Sequence, residues 1–196
     1  NALGAVSDTN ARLLAADDNT RIYFQPSANY NGPVTNAITF RAWDQTVGAN
    51  GGTGDTTTNG GSSAFSIATD TAAITVTPVN DIPSFTATSP ASVNEDSGAQ
   101  TLTTWATFNP GPANEAAQTA TYTVSNISNG ALFSAAPTIN ASGNLTYTPA
   151  ANAFGTSTFD VAVQDSGGTP GVDTSTTQTF TITVNGVNDQ PSFGNG

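Results

Sequence analysis

The stretch TSTFDVAVQD, from Thr156 to Asp165, sets a large apolar residue at every second position. Phe159, Val161 and Val163 fall on one face of an extended chain, because successive side chains of a strand point to opposite sides. The stretch TQTFTITVN, from Thr177 to Asn185, repeats this alternation with threonines on the other face. The two stretches predict neighbouring antiparallel strands with one buried face.

Further strands and turns surround this pair, and no stretch shows helical spacing of apolar residues. Strands are expected where Thr, Tyr and Val concentrate, and turns where Gly, Asn and Ser cluster. The Pro-Gly-Pro stretch within 108–115 is interpreted as a loop alone. The chain is therefore predicted to be all-β, with additional strands over 100–104, 119–124 and 144–148 and turns over 128–130, 140–143 and 167–171.

One heptapeptide occurs twice: VNDIPSF at Val79–Phe85 and VNDQPSF at Val187–Phe193. The two copies start 187 − 79 = 108 residues apart, which is the size of one small domain. This repeat predicts tandem domains joined at the heptapeptides. The predicted division is 1–81 for the C-terminal part of one repeat, 82–189 for a complete repeat and 190–196 for the start of the next.

The first repeat is expected to be incomplete. The segment PSANYNG, beginning at Pro26, matches PAANAFG, beginning at Pro149. Only 25 residues precede Pro26, whereas 149 − 79 = 70 separate Val79 from Pro149, so about 45 residues, or three strands, are missing from the first repeat. We expect the chain to be a fragment of a longer protein, with a mobile Gly/Thr/Asn insertion over 48–63.

Composition narrows the function classes. Three arginines, no lysine and 14 acidic residues give a net charge of −11, which argues against nucleic acid and anionic membranes as partners. The same surplus favours a cation, most simply Ca²⁺. No apolar run is long enough to insert into a membrane.

The chain contains no Cys, His or Met. Disulfides, thiolate zinc sites, a Cys nucleophile and a His general base are therefore excluded. The two glutamates, Glu95 and Glu115, are placed in loops with no catalytic constellation around them. We predict no enzymatic activity, and a sulfur-free composition suits a long-lived extracellular protein.

Several pieces of the second repeat occur together in a characteristic order. They are Asn80–Phe85, Val93–Glu95, Tyr122–Val124, Gly130–Phe133, Leu145–Pro149, Val161–Asp165 and Val187–Asp189. This pattern resembles the cadherin-like repeats strung in tandem in large (RTX-type) bacterial surface adhesins. The resemblance implies tandem Ig-like, cadherin-like Greek-key sandwiches that act as extracellular spacers in cell adhesion or biofilm, with neighbouring repeats as partners.

The resemblance also implies Ca²⁺ at the joints, where two domain ends together supply the six to eight oxygens that the ion prefers. Carboxylates expected near 109–111 and 151–152 are absent, so fewer ions than in animal cadherins are expected. The implied ligands are Asn80, Asp81 and Asp165 at the first joint, Asn188, Asp189, Glu95 and Asp96 at the second, and Asp44 toward a joint upstream.

Three alternatives stay open. The joints could be metal-free Asx-turn linkers, since Asn and Asp before a proline form such turns unaided. An incomplete sandwich could recruit strands from another copy and self-associate into a filament. Trp43, Trp105 and Tyr30 could stack on cell-surface glycans, although sandwich cores usually contain a tryptophan.

Overall fold

The computed structural model of the protein describes residues 3–191 and divides the chain into two compact units. Unit 1 ends at Pro78, and unit 2 begins at Val79. Unit 1 contains β1 (Ala11–Arg12), β2 (Gly32–Trp43), β3 (Thr53–Gly54) and β4 (Phe65–Val76). Unit 2 contains β5 (Ser84–Thr86), β6 (Val93–Asn94), β7 (Gln100–Leu102), β8 (Thr107–Asn109), β9 (Thr121–Ser125), β10 (Phe133–Ile139), β11 (Leu145–Pro149), β12 (Gly155–Gln164) and β13 (Gln178–Asn185).

Unit 2 is an all-β sandwich, which confirms the predicted fold class. One sheet has the strand order β6-β13-β12-β9, a second has β10-β11-β7, and β5 pairs with β8. All neighbours are antiparallel except β6, which runs parallel to β13. Pairing the early strand β6 with the last strand β13 places the start of the unit beside its end.

The apolar alternation of β12 and β13 supplies the centre of the core. Phe159, Val161 and Val163 are each 0% exposed, and Ile182 is equally buried on the paired strand. The second sheet covers them with Leu145 and other apolar side chains. Burying one large aliphatic or aromatic side chain contributes roughly 1.5–3 kcal/mol, so this face is the main source of the unit's stability.

Two segments differ from the prediction. The stretch 108–115 is more than a loop, because it contains the end of β8 and a 3₁₀ turn at Ala113–Glu115. Strand β10 had no alternating pattern to reveal it. Its pairing with β11 shifts register twice between Phe133 and Thr138, and such bulges break the period of two on which strand prediction depends.

Unit 1 is dominated by one long hairpin, in which β2 pairs antiparallel with β4. Its core is small and consists of Leu13, Ala64 and Phe65. The insertion over 48–63, expected to be mobile, contains β3 and folds back on the chain, with the Gly51 N–H donating to the Leu13 carbonyl at 2.8 Å. Most of the hairpin is exposed on both faces.

Candidate functional site

Asn80 is the most heavily bonded residue of the N-terminal end of unit 2. Its backbone N–H donates to the Pro170 carbonyl at 2.8 Å. Its side-chain Nδ2 donates to the Val172 carbonyl at 2.8 Å and to both oxygens of Asp165 at 3.2 Å. The Gln118 amide donates to Asn80 Oδ1 at 2.8 Å. Asn80 therefore attaches the incoming chain to the loop between β12 and β13.

Asp165 follows β12 directly and is 7% exposed. Besides Asn80, its Oδ1 accepts the Gly167 N–H at 2.9 Å, which is an Asx turn. Gly167 is required here, because a Cβ at this position would overlap the Asn80 amide. The structure thus brings Asn80 and Asp165 together as predicted from the resemblance, and it joins them through N–H donors.

Glu115 lies at the same end and was assigned no role from sequence. The Asp81 backbone N–H donates to Glu115 Oε1 at 2.9 Å, and the glutamate is only 5% exposed. The 3₁₀ turn at Ala113–Glu115 positions this carboxylate beneath the incoming chain. The signal that could have found it is rarity, since Glu115 is one of only two glutamates in the chain.

Glu95, the other glutamate, occupies the C-terminal end of unit 2. It follows β6, is 5% exposed and accepts the Val187 N–H on Oε1 at 2.7 Å. The Glu95 N–H in turn donates to the Asn185 carbonyl at 2.9 Å, which extends the β6–β13 ladder. Glu95 thereby holds the outgoing chain just before Asn188.

The remaining predicted ligands are exposed at the surface. Asp96 Oδ1 accepts the Asn152 N–H at 3.3 Å, and Asn188 Nδ2 donates to the Asp189 carbonyl at 3.1 Å. Asp44, in unit 1, accepts the N–H and hydroxyl of Thr46, and the hydroxyl bond chiefly lowers the pKa of Asp44. Asp44 thus repeats the turn geometry of Asp165. The second copy of the heptapeptide is described only as far as Pro191, so Ser192 and Phe193 lie outside the described residues.

Both glutamates share one unusual feature. Glu95 Oε2 and Glu115 Oε2 are buried without any hydrogen-bond partner. An unpaired buried polar atom costs about 1–3 kcal/mol, and more when charged. The possible metal-ligand atoms at both ends are carboxylate and amide oxygens, which suit a hard cation such as Ca²⁺ and not a soft metal. Within residues 3–191, however, no three Asp or Glu side chains converge tightly enough to form a preassembled metal site.

Trp105 is part of the core and not an open sugar platform. Its ring lies 4.8 Å from the ring of Phe180 and 6.0 Å from that of Phe159, centroid to centroid. Its indole N–H donates to the Thr88 carbonyl at 2.7 Å. In unit 1, Trp43 is half-buried and donates to the Val47 carbonyl.

Comparison with known proteins finds one family model that matches part of unit 2. Residues 127–185, which include β10 to β13, match the family model of a bacterial Ig domain. No curated protein and no solved structure matches the chain. No helix among residues 3–191 has the length and apolar character needed to cross a membrane. The match and the sandwich on which it falls together support a bacterial Ig-like domain in unit 2, of the structural kind common on bacterial surfaces.

Proposed function

We propose that this chain is a spacer segment of an extracellular bacterial surface adhesin, built from cadherin-like repeats that Ca²⁺ stiffens at their ends. A single observation carries the proposal. At each end of unit 2, a buried carboxylate holds the chain that enters or leaves the sandwich, Glu115 through the Asp81 N–H and Glu95 through the Val187 N–H. Adhesion to a surface and biofilm formation are the roles that such a spacer would serve.

Calcium would act by electrostatics. The chain has a net charge of −11, so acidic side chains near a joint repel one another. A divalent cation that is bound by Asp81 at one end of the unit, or that bridges Asp96 and Asp189 at the other end, reduces this repulsion. The ion then restricts the motion of successive repeats. Asn80 and Asp165 already bond each other, so either would have to exchange those bonds to become a ligand.

Small-angle scattering of the whole chain tests the proposal. The radius of gyration is measured in Ca²⁺ and then in EGTA, with Mg²⁺ at equal ionic strength as the control for simple screening. We expect a longer and less variable particle in Ca²⁺ than in either control. Identical scattering profiles in all three conditions would exclude stiffening by calcium.

A second candidate function, self-association into a filament, rests on the β2–β4 hairpin. Register pairs such as Val34 with Ile74 and Ile38 with Ala72 put apolar side chains on one face. The counterparts of this face in β12 and β13 are fully buried, whereas Phe40 is 49% and Ile74 is 38% exposed. An exposed hairpin face that is mainly apolar, with Asp70 opposite Phe40, favours covering by a second copy.

Analytical ultracentrifugation over a wide concentration range tests self-association. We expect oligomers that disappear in Phe40→Asp, which places a charge on the apolar face. Thr39→Asp is the matched control, because adjacent strand residues point to opposite faces. A monomer at every concentration would dismiss the filament.

A further inference from the structure

Glu115 contains a buried oxygen for which the fold provides no partner. Its Oε1 accepts the Asp81 N–H at 2.9 Å, whereas Oε2 has no hydrogen bond. The side chain is 5% exposed, so bulk water does not replace the missing bond. A buried carboxylate oxygen in this condition is stabilised by a hydrogen-bond donor, such as an ordered water molecule, or by a cation.

The backbone of Gly111 packs directly against this oxygen. The residue adopts a φ of 136°, which side chains rarely allow, and a Cβ there would overlap Glu115 Oε2. The same Cβ position lies 3.4 Å from the Cβ of Asp81. Glu115 Oε2 and the Asp81 side chain therefore border one position beside the Gly111 backbone. Asp81 itself is exposed to solvent, whereas Glu115 Oε2 is covered.

Asp165, unlike Glu115, has no carboxylate oxygen that lacks a hydrogen-bond partner. Both of its carboxylate oxygens accept from Asn80 Nδ2 at 3.2 Å, and Oδ1 also accepts from the Gly167 N–H. An amide flip of Asn80 would not release Asp165 for a metal, because Nδ2 also donates to the Val172 carbonyl, which an oxygen in its place would repel. Two N–H groups, the one that Asn80 Nδ2 shares between both oxygens and that of Gly167, already compensate this carboxylate.

The opposite end of the unit repeats the Glu115 arrangement with different residues. Glu95 Oε1 accepts a backbone N–H from Val187 at 2.7 Å, and Glu95 Oε2 is buried without a partner. The only two glutamates of the chain thus share one geometry at the two ends of a single sandwich. Gln118 Oε1 and the hydroxyls of Tyr122 and Tyr147 are also buried without a partner, but only the two glutamates offer a carboxylate oxygen.

We propose that Glu115 and Asp81 bind Ca²⁺ at the N-terminal end of unit 2, and that Asp165 instead holds Asn80 in place. The inference rests on the proposed function, because it names the side chains through which calcium acts at this end. Ca²⁺ takes six to eight oxygens, so two carboxylates leave several positions to water and backbone carbonyls. A site of this kind binds at about 10⁻⁴–10⁻³ M, as extracellular modules do.

Isothermal titration with CaCl₂ tests the assignment on the full 196-residue chain. Glu115→Gln keeps the shape of the side chain and removes its charge, and we expect it to abolish one binding event or to weaken it at least about tenfold. Asp165→Asn tests the competing candidate, and Asp18→Asn, which removes an equal charge from an exposed position of unit 1, is the matched control that should leave the Ca²⁺ affinity within about twofold. Circular dichroism verifies that each variant is folded.

Each outcome is decisive. Unchanged binding in Glu115→Gln, or loss of binding in Asp165→Asn alone, overturns the assignment while leaving calcium stiffening intact. No heat of binding in the wild type up to about 10 mM Ca²⁺ overturns both the assignment and calcium stiffening. If Glu115→Gln does not fold, the exposed Asp81→Asn variant replaces it, and unchanged binding there rejects the site.

Discussion

Asn80 shows how one side chain can fix the position at which a chain joins a domain. Its amide spans Asp165 and the Val172 carbonyl on one side and accepts from Gln118 on the other. The same residue type at the second heptapeptide, Asn188, makes only the local bond to the Asp189 carbonyl. All of these partners of Asn80 belong to the domain that follows its heptapeptide, so Asn80, unlike Asn188, fixes unit 2.

Replacing Asn80 by alanine should therefore destabilise unit 2 by about 2 kcal/mol, since a hydrogen bond to a charged group contributes roughly 1.5–3 kcal/mol. Urea unfolding followed by Trp105 fluorescence, in a Trp43→Phe background, measures the change. Asn188→Ala is the matched control, with an expected effect within about 0.5 kcal/mol. Equal losses in the two variants would contradict the role assigned to Asn80.

Asp160 predicts a dependence of stability on pH. The Thr179 hydroxyl donates to it at 2.6 Å and the Asn126 amide at 2.8 Å, and these bonds, the first above all, lower its pKa below the ordinary 3.8. A lowered folded-state pKa adds stability above the ordinary value, and this stability is lost as the pH falls through the lowered pKa. Asp160→Asn should therefore be less stable than wild type at pH 7, and the gap should narrow in acid.

Urea titrations from about pH 7 down to about pH 2 measure this gap. The general effect of protonating other carboxylates is common to both proteins and cancels in the difference. A wild-type advantage that stays constant over the whole pH range would show that the charge of Asp160 contributes nothing.

At the scale of single residues, sequence reasoning reached part of the site. The resemblance implied that Asn80 and Asp165 share one joint and that Glu95 belongs to the other. The structure shows Asn80 bonded to Asp165 and Glu95 bonded to Val187, while their role as calcium ligands stays a prediction. Glu115 was missed, because its burial depends on a 3₁₀ turn and on the backbone freedom of Gly111. Neither feature leaves a periodic pattern in the sequence.

The two hairpins offer a comparison between elements of similar sequence. Phe159 in β12 is fully buried, whereas Phe40 in β2 is 49% exposed. Phe159→Ala should cost unit 2 about 3–5 kcal/mol, the usual range for a core phenylalanine. Phe40→Ala should cost unit 1 less than about 1 kcal/mol.

Urea unfolding of both variants measures these losses, with Trp105 reporting on unit 2 and Trp43 on unit 1. A cost at Phe40 close to that at Phe159 would show that the apolar face of β2 is covered in solution. That result would also support the second candidate function.

At the scale of elements, the regular strands were predictable and the irregular ones were not. β12 and β13 fall within a residue of the stretches predicted from alternation. β10 was missed because two register shifts interrupt its pattern. Short strands such as β5 and β6 have too few residues to show a period at all.

The two units should differ in dynamics. Unit 2 has an extended core, whereas the buried cluster of unit 1 consists of Leu13, Ala64 and Phe65. Because amide protection follows burial and local stability, β12 and β13 should exchange hydrogen slowest and β2 and β4 markedly faster. Hydrogen exchange with mass spectrometry on the whole chain measures this, and equal protection of the two hairpins would contradict it.

At the scale of the molecule, composition excluded several classes of function but could not identify the binding partner. The absence of Cys and His excluded disulfides, thiolate zinc sites and a His general base, and the charge of −11 argued against nucleic acid and anionic membranes as partners. The division into repeats came from the spacing of the heptapeptides. Whether an apolar face is covered depends on contacts outside the chain, and no pattern within one sequence encodes them.

The parallel pairing of β6 with β13 has a mechanical consequence. The chain enters unit 2 at Asn80 and leaves at Val187, at opposite ends of the long strand β13. Tension on the two ends pulls β6 and β13 past each other, so the hydrogen bonds between them are loaded together and not one after another. The bond from the Glu95 N–H to Asn185 and the bond from the Val187 N–H to Glu95 share this load. The Glu95 side chain, which has a buried oxygen without a partner, is thereby also part of the contact that resists extension under force.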